Sequence, residues 1–274
     1  KDKIEDLNLF FSYSDDKLNI ENLNLKYKNI LFNSRNISTI FKNDLINIKG
    51  DLKNNANLEL ISNLSKFKLN KYFDKNILFS SDTNFEIIIN KNFKIKDYKL
   101  KSRLNFDNLN FKIKNTKIKD YIVDFNDKII FKDGELKLNI NKQNNNEINF
   151  NSKYVINENN IPKDFKFNFS QKNSIKKYNF YVDLSQIELI NNLINFHKKI
   201  DDEFFLELDA TEFKDNYEIE NLKLFNSKNN FLFKNIKLNN NYQIIGFNLI
   251  EAKFENKEGF INDIFIDKKN KNIE

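Results

Sequence analysis

The sequence predicts a mostly β protein: a long antiparallel meander, with one or two short helices. Two observations predict it. Apolar and polar residues alternate with period two over most of the 274 residues, the mark of strands with one dry and one wet face. Turn signals rich in Asn, Asp and Gly recur about every 8 to 14 residues, as a meander requires. That spacing accommodates roughly 18 to 20 strands.

The alternation begins near the start of the chain. Leu23, Leu25 and Tyr27 alternate with Asn24 and Lys26, after a turn at Asp15-Asp16. Tyr98, Leu100, Leu104 and Phe106 share one parity, and Leu109, Phe111 and Ile113 take the other. The change at Asp107-Asn108 predicts a tight turn or a bulge. Asp133-Gly134 is the strongest hairpin-turn signal, and Leu136, Leu138 and Ile140 follow it. Ile148, Phe150, Tyr154 and Ile156 come after the turn-rich run Asn144 to Asn146. Further on, Phe165, Phe167 and Phe169 alternate, as do Tyr178, Phe180, Val182 and Leu184. Leu206 with Leu208, Leu222 with Leu224, Phe231 with Phe233 and Ile264 with Ile266 carry the pattern towards the end.

One stretch departs from it. Ser185 followed by Glu188 fits a capping box. Ile187, Ile190, Leu193 and Ile194 then recur at helical spacing, with His197 continuing them. Lys198 and Lys199 fall where the negative end of a helix dipole favours cations. A helix is predicted over 185–199, and a weaker candidate over 61–72.

A strand with one apolar face must bury that face, and so few helices cannot cover so wide a sheet. A second sheet, closure into a barrel, or a curled sheet whose concave face holds apolar ligand would each do so. Sheets above about ten strands rarely stay open without curling or splitting. Four Gly and one Pro in the whole chain argue against a tightly cornered sandwich. A trough of about twenty strands, each about 4.8 Å from the next, would extend roughly 90 Å. Left empty, it would far exceed the few hundred Å² of apolar patch that soluble proteins expose. An acyl chain of about sixteen carbons would gain on the order of 10 kcal/mol by filling it.

Composition narrows the function. The formal charge is +6, but Lys alternates with Asp and Glu, and only Arg35 and Arg103 supply guanidinium groups. Nucleic acid, which is read through clustered Arg and Lys, is not an expected partner. The chain has no Cys, which removes disulfides and thiolate metal sites. No apolar run approaches the ~18 residues of a membrane-crossing helix. Lys1 is not a natural start, so a segment of a longer chain is expected.

Few residues suggest chemistry. His197, the one imidazole, has no Ser or Cys nucleophile nearby in sequence, so a triad lacks its parts. Asp201-Asp202-Glu203 could offer carboxylates to a hard cation, but no regularly spaced ligand loop accompanies them, and a solvated loop is the expectation. Asn36-Ile37-Ser38 and Asn63-Leu64-Ser65 match the glycosylation pattern, which abundant Asn produces by chance. Neither a catalytic residue, a metal nor a cofactor is expected, and the chain is read as a non-enzyme.

Three stretches carry a resemblance: FKIKDYKLKSRLNFDNLNFKI at Phe93 to Ile113, FKDGELKLNI at Phe131 to Ile140, and LINFHKK at Leu193 to Lys199. Together they resemble the AsmA-like group of bacterial envelope proteins, particularly its YhdP and TamB branch. The resemblance covers most of the chain and lies in texture more than in fixed motifs. It implies one continuous β-groove segment over 1–274, a long sheet bent into a U-shaped trough. It further implies a periplasmic location, tethered to the inner membrane by a helix outside this sequence. The implied function is carrying or shielding phospholipid between inner and outer membrane, with acyl chains as the partner. Parity gives the expected lining: Phe106, Phe111, Ile113, Leu136, Leu138, Ile140, Phe150, Phe167, Phe180, Leu208, Leu224 and Phe233. The alternative is a structural or adhesive β-repeat protein with a closed core and no lipid.

Overall fold

In the computed structural model, residues 3–27, 29–57, 77–113, 119–125, 127–156 and 160–268 are described. The second helical candidate and the Asn63 glycosylation pattern lie outside them, as does Lys1. Among the described residues eighteen strands are formed: β1 (Ile4–Ser14), β2 (Lys17–Tyr27), β3 (Ile30–Lys42), β4 (Leu45–Asn57), β5 (Leu78–Asn90), β6 (Ile95–Lys112), β7 (Lys128–Asn141), β8 (Asn145–Val155) and β9 (Lys163–Lys172). There follow β10 (Ile175–Asp183), β11 (Leu189–Asn191), β12 (Phe196–Lys198), β13 (Phe205–Glu212), β14 (Tyr217–Phe225), β15 (Asn230–Leu238), β16 (Ile244–Gly246), β17 (Leu249–Glu255) and β18 (Ile261–Asp267).

Sixteen strands make one meander sheet. Sequence neighbours pair in order from β1 to β10; β10 then pairs with β13, and the order continues through β14, β15, β17 and β18, with β16 also on β15. The remaining two, β11 and β12, pair with each other, and Leu189 of β11 also bridges Ile122. The chain divides into two compact units, Lys1–Phe111 with Lys132–Phe150, and Lys112–Phe131 with Asn151–Glu274.

Asn and Asp do the work that glycine does elsewhere. Among the described residues, fourteen of the sixteen non-glycine residues with positive φ are Asn or Asp. These short polar side chains tolerate the left-handed region best after Gly. Asp15 (φ 49°) and Asp16 (φ 57°) form the β1–β2 turn, and Asn144 (φ 58°) closes β7–β8, both as the sequence predicts. Asp6, Asn22, Asp133 and Asn235 take the same conformation inside strands.

Two local expectations are corrected, and a third is narrowed to one of its two alternatives. The helix over 185–199 is absent: the segment holds a turn, β11 and β12. The backbone N–H and the hydroxyl of Ser185 both donate to Asp183 Oδ1, so Asp183 caps a local turn here and Ser185 caps no helix. Asn191, Asn192 and Asn195 are poor helix formers that suit the hairpin tip. Asp133-Gly134 lies inside β7 and is no hairpin turn. Its signal arises from a bulge-like Asp133 (φ 50°) beside a glycine needed for packing. At Asp107-Asn108 the turn is ruled out: β6 runs unbroken, with both residues exposed between buried Phe106 and Leu109. Two outward residues in a row are what one extra residue in a strand produces.

Candidate functional site: the apolar face and its hairpin cover

In the second unit, directly opposed residues share a face, and cross-strand register sorts the apolar side chains into rows. One row runs Phe165, Val182, Leu206, Leu224, Phe231, Ala252, Ile264. The next runs Phe167, Phe180, Leu208, Leu222, Phe233, Ile250, Ile266. A third holds Phe169, Tyr178, Ala210, Ile219 and Ile236. The opposite face carries Lys166, Tyr181, Glu207, Lys223, Leu232 and Glu251 in register. Five of the predicted lining residues, Phe167, Phe180, Leu208, Leu224 and Phe233, therefore stand together on one face. Phe167 and Phe180 are in ring contact at 4.7 Å.

The first unit repeats the arrangement. Tyr13, Leu18, Thr39, Ile48, Ile87 and Tyr98 form one row. Phe11, Ile20, Ile37, Gly50, Phe85 and Leu100 form the next. This face is interrupted where Thr83 and Ser102 hydrogen-bond to each other at 2.7 Å. Phe106 is buried, edge-on to Phe79 at 5.9 Å and stacked on Phe150 at 5.8 Å. Gly134 lies against the Phe106 ring, so Leu136, Leu138 and Ile140, at even spacing from it, take the same side. Glu135, between them, points away and pairs with Arg103 and Lys137, which hold its carboxyl below the usual range. Phe111 (first unit) and Ile113 (second unit) are half-buried, on the parity that follows the irregularity at Asp107-Asn108.

The β11–β12 insertion was not foreseen, and it caps one end of the second unit's apolar face. Its neck is closed by Leu184 N–H donating to the Phe204 carbonyl (2.7 Å) and Asp201 N–H to the Ser185 carbonyl (2.9 Å). Lys198, 2 % exposed, donates from Nζ to the carbonyls of Leu184, Ser185 and Ile187 at 2.9, 2.6 and 2.9 Å. Burial holds its pKa down to about 8, against the opposing pull of Asp202, Asp183 and Asp201. Along one side, Ile190 N–H donates to the Tyr121 carbonyl and Val123 N–H to that of Glu188. At the tip, Lys257 N–H donates to the Asn195 carbonyl at 2.9 Å.

Phe196 descends from this hairpin onto the sheet, against Phe204, Phe231 and Phe254 at 5.9, 5.1 and 6.0 Å. Beside this cluster lies a cavity of about 440 Å³, lined by residues that include Ile190, Ile194, Leu224, Phe233, Ala252 and Ile264. Two of these, Leu224 and Phe233, belong to the lining predicted by parity. Phe196, Phe204 and Phe254 were missed. A run of Asn at 191, 192 and 195 between apolar residues was the available hint of a hairpin.

The remaining candidates are engaged locally. His197 lies in β12, with Nε2 2.6 Å from Glu188 Oε1. Asp201, Asp202 and Glu203 are exposed; Asp201 accepts from Gln186 and Asp202 from the Lys199 N–H. Ser38 of the Asn36 pattern is buried within β3. Among the described residues no group of three or more His, Cys, Asp or Glu could hold a metal. No helix among them is long and apolar enough to cross a membrane.

Comparison with family models, with curated proteins and with solved structures finds no match for this chain.

Proposed function

We propose that the chain is a groove segment of a bacterial envelope protein, carrying or shielding phospholipid acyl chains between the inner and outer membranes. One observation carries the reading. The apolar face of the second unit is laddered in register across seven strands, β9, β10, β13, β14, β15, β17 and β18, and the only other sheet among the described residues is the two-stranded β11–β12 hairpin. A face of that width, charged on its reverse, is one that hydrocarbon would cover at a gain of about 0.8 kcal/mol per methylene. The resemblance to AsmA-like proteins supports the same reading.

The residues act passively. Phe167, Phe180, Leu208, Leu224 and Phe233 in the second unit solvate acyl chains. So do Phe111, Leu136, Leu138, Ile140 and Phe150 in the first, and Ile113, while Phe106 is itself buried and packs against Phe150. Headgroups stay in water, and no bond is made or broken. Photocrosslinkers at Phe167, Phe180 and Leu208 are expected to capture phospholipid from cells. Capture only at the reverse-face positions Lys137 and Lys166 would reverse the assignment. A purified chain whose native mass spectrum carries no lipid would favour the structural β-repeat reading.

A further inference from the structure

We propose that the cavity beneath the β11–β12 hairpin is a blind end of the apolar face, which takes the methyl end of one hydrocarbon chain while the polar head stays outside. This rests on the proposed function, and adds to it a defined site with a fixed capacity. The chemistry of the lining sets the occupant. Among the described residues thirteen line the space and none is charged; Asn191 and the Tyr121 phenol are their polar side chains. A headgroup placed there would lose its water with almost nothing to replace it, whereas a hydrocarbon loses nothing. The volume of about 440 Å³ falls in the range of roughly 300–1,000 Å³ usual for small-molecule sites.

The space is held open. A short hairpin lying loosely on an apolar sheet would settle until its side chains filled the gap, because unfilled apolar space forfeits contacts. Here the hairpin is fixed on three sides: at the neck by Lys198 and the Asp201 N–H, along one flank by Tyr121, and at the tip by Lys257. Phe196 reaches the sheet, and Ile190 and Ile194 line the space beside it. The floor is cut away as well. Ala252 stands between Phe231 and Ile264 in a row otherwise built from Phe, Val, Leu and Ile. Leu224 and Phe231 line the space and continue the row towards Leu206 and Val182, so a chain lying along the face can run into the cavity.

The test is a titration of the purified full chain with straight-chain saturated fatty acids from octanoate to stearate. Affinity is expected to rise about fourfold for each added methylene and then less steeply once the blind end is full and further methylenes lie on the open face. Ala252→Phe, which fills the floor, is expected to bring this break in slope to a shorter chain. A second measurement needs no variant: a photoreactive group at the methyl terminus of the acid is expected to label Leu189, Ile190 or Ile194. Affinity that climbs with one unbroken slope, unchanged by Ala252→Phe, with labels only at Phe167 and Phe180, would overturn the blind end and leave an open track intact. No binding by any chain length would overturn both.

Discussion

The ring of Phe106 occupies the place that a side chain at Gly134 would need. A Cβ built on Gly134 collides with Phe106 Cζ, Cε1 and Cε2, so the strand carries glycine because an aromatic ring from another strand lies flat over its backbone. Gly134→Ala is expected to destabilise the first unit by about 1–3 kcal/mol, the usual cost of overpacking. Phe106→Leu in the same chain should recover part of that loss, since the two changes act on one space. Denaturant unfolding of both single variants and the double variant checks it; strictly additive losses would refute the steric cause.

Lys198 pins the hairpin insertion through three backbone carbonyls. Lys198→Met keeps the aliphatic stem and removes the donors, which leaves the Ile187 carbonyl without its donor while the Leu184 and Ser185 carbonyls keep the Ile187 and Asp201 N–H groups, at a cost of about 2 kcal/mol. Amide exchange between 185 and 198 should quicken accordingly.

The same lysine has a pH signature. Its folded pKa is depressed to about 8 from 10.5. Below about pH 8 it is protonated folded and unfolded alike, and the full cost of burying the ammonium is present. Between about 8 and 10.5 the unfolded chain binds more protons than the folded one, so stability should rise with pH. Unfolding curves across that window should show the rise in the parent chain and lack it in Lys198→Met.

Glu212 sits at the polar border of the second unit's apolar face, 2.6 Å from both Lys176 Nζ and the Tyr178 hydroxyl. Lys176 and then Tyr178 hold its carboxyl below the usual range, while burial and Glu212 push the Tyr178 phenol up. A depressed carboxylate stabilises above its unfolded value of about 4.3, and the contribution is lost as pH falls through the lower folded value. Glu212→Gln should flatten the acid limb of the stability profile. An unchanged limb would show that the contact contributes nothing in solution.

Much of this was legible in period two. The parity that grouped Phe167, Phe180, Leu208, Leu224 and Phe233 is the parity that the register brings to one face, because a pleated strand leaves no other arrangement. What failed was whatever depended on distant partners. Ile187, Ile190 and Ile194 recur at helical spacing, yet a hairpin that must lie apolar side down on a sheet uses the same residues. The deciding contacts, Phe196 with Phe231 and Phe254, span positions that no local window joins. Asp133-Gly134 misled for a similar reason: its glycine answers to Phe106, twenty-eight positions away. The cavity was invisible because it depends on the height at which the hairpin is pinned.

The outermost strands lead to the last prediction. Among the described residues β1 pairs only with β2, and β18 only with β17. Both display large apolar side chains: Phe10 is 65 % and Phe11 71 % exposed on β1, and Phe265 is 65 % exposed on β18. An unpaired edge with free backbone donors and an oily surface on both faces is a template for another strand. Lysine on such an edge blocks pairing by keeping its charge in water. The purified chain is therefore expected to self-associate as its concentration rises, with Phe10→Lys and Phe265→Lys each lowering the associated fraction and the pair lowering it further. Sedimentation velocity over a concentration series reads this directly. Association that persists in the double variant would move the contact from the strand edges to the apolar face, where the charge to introduce next is Phe180→Asp.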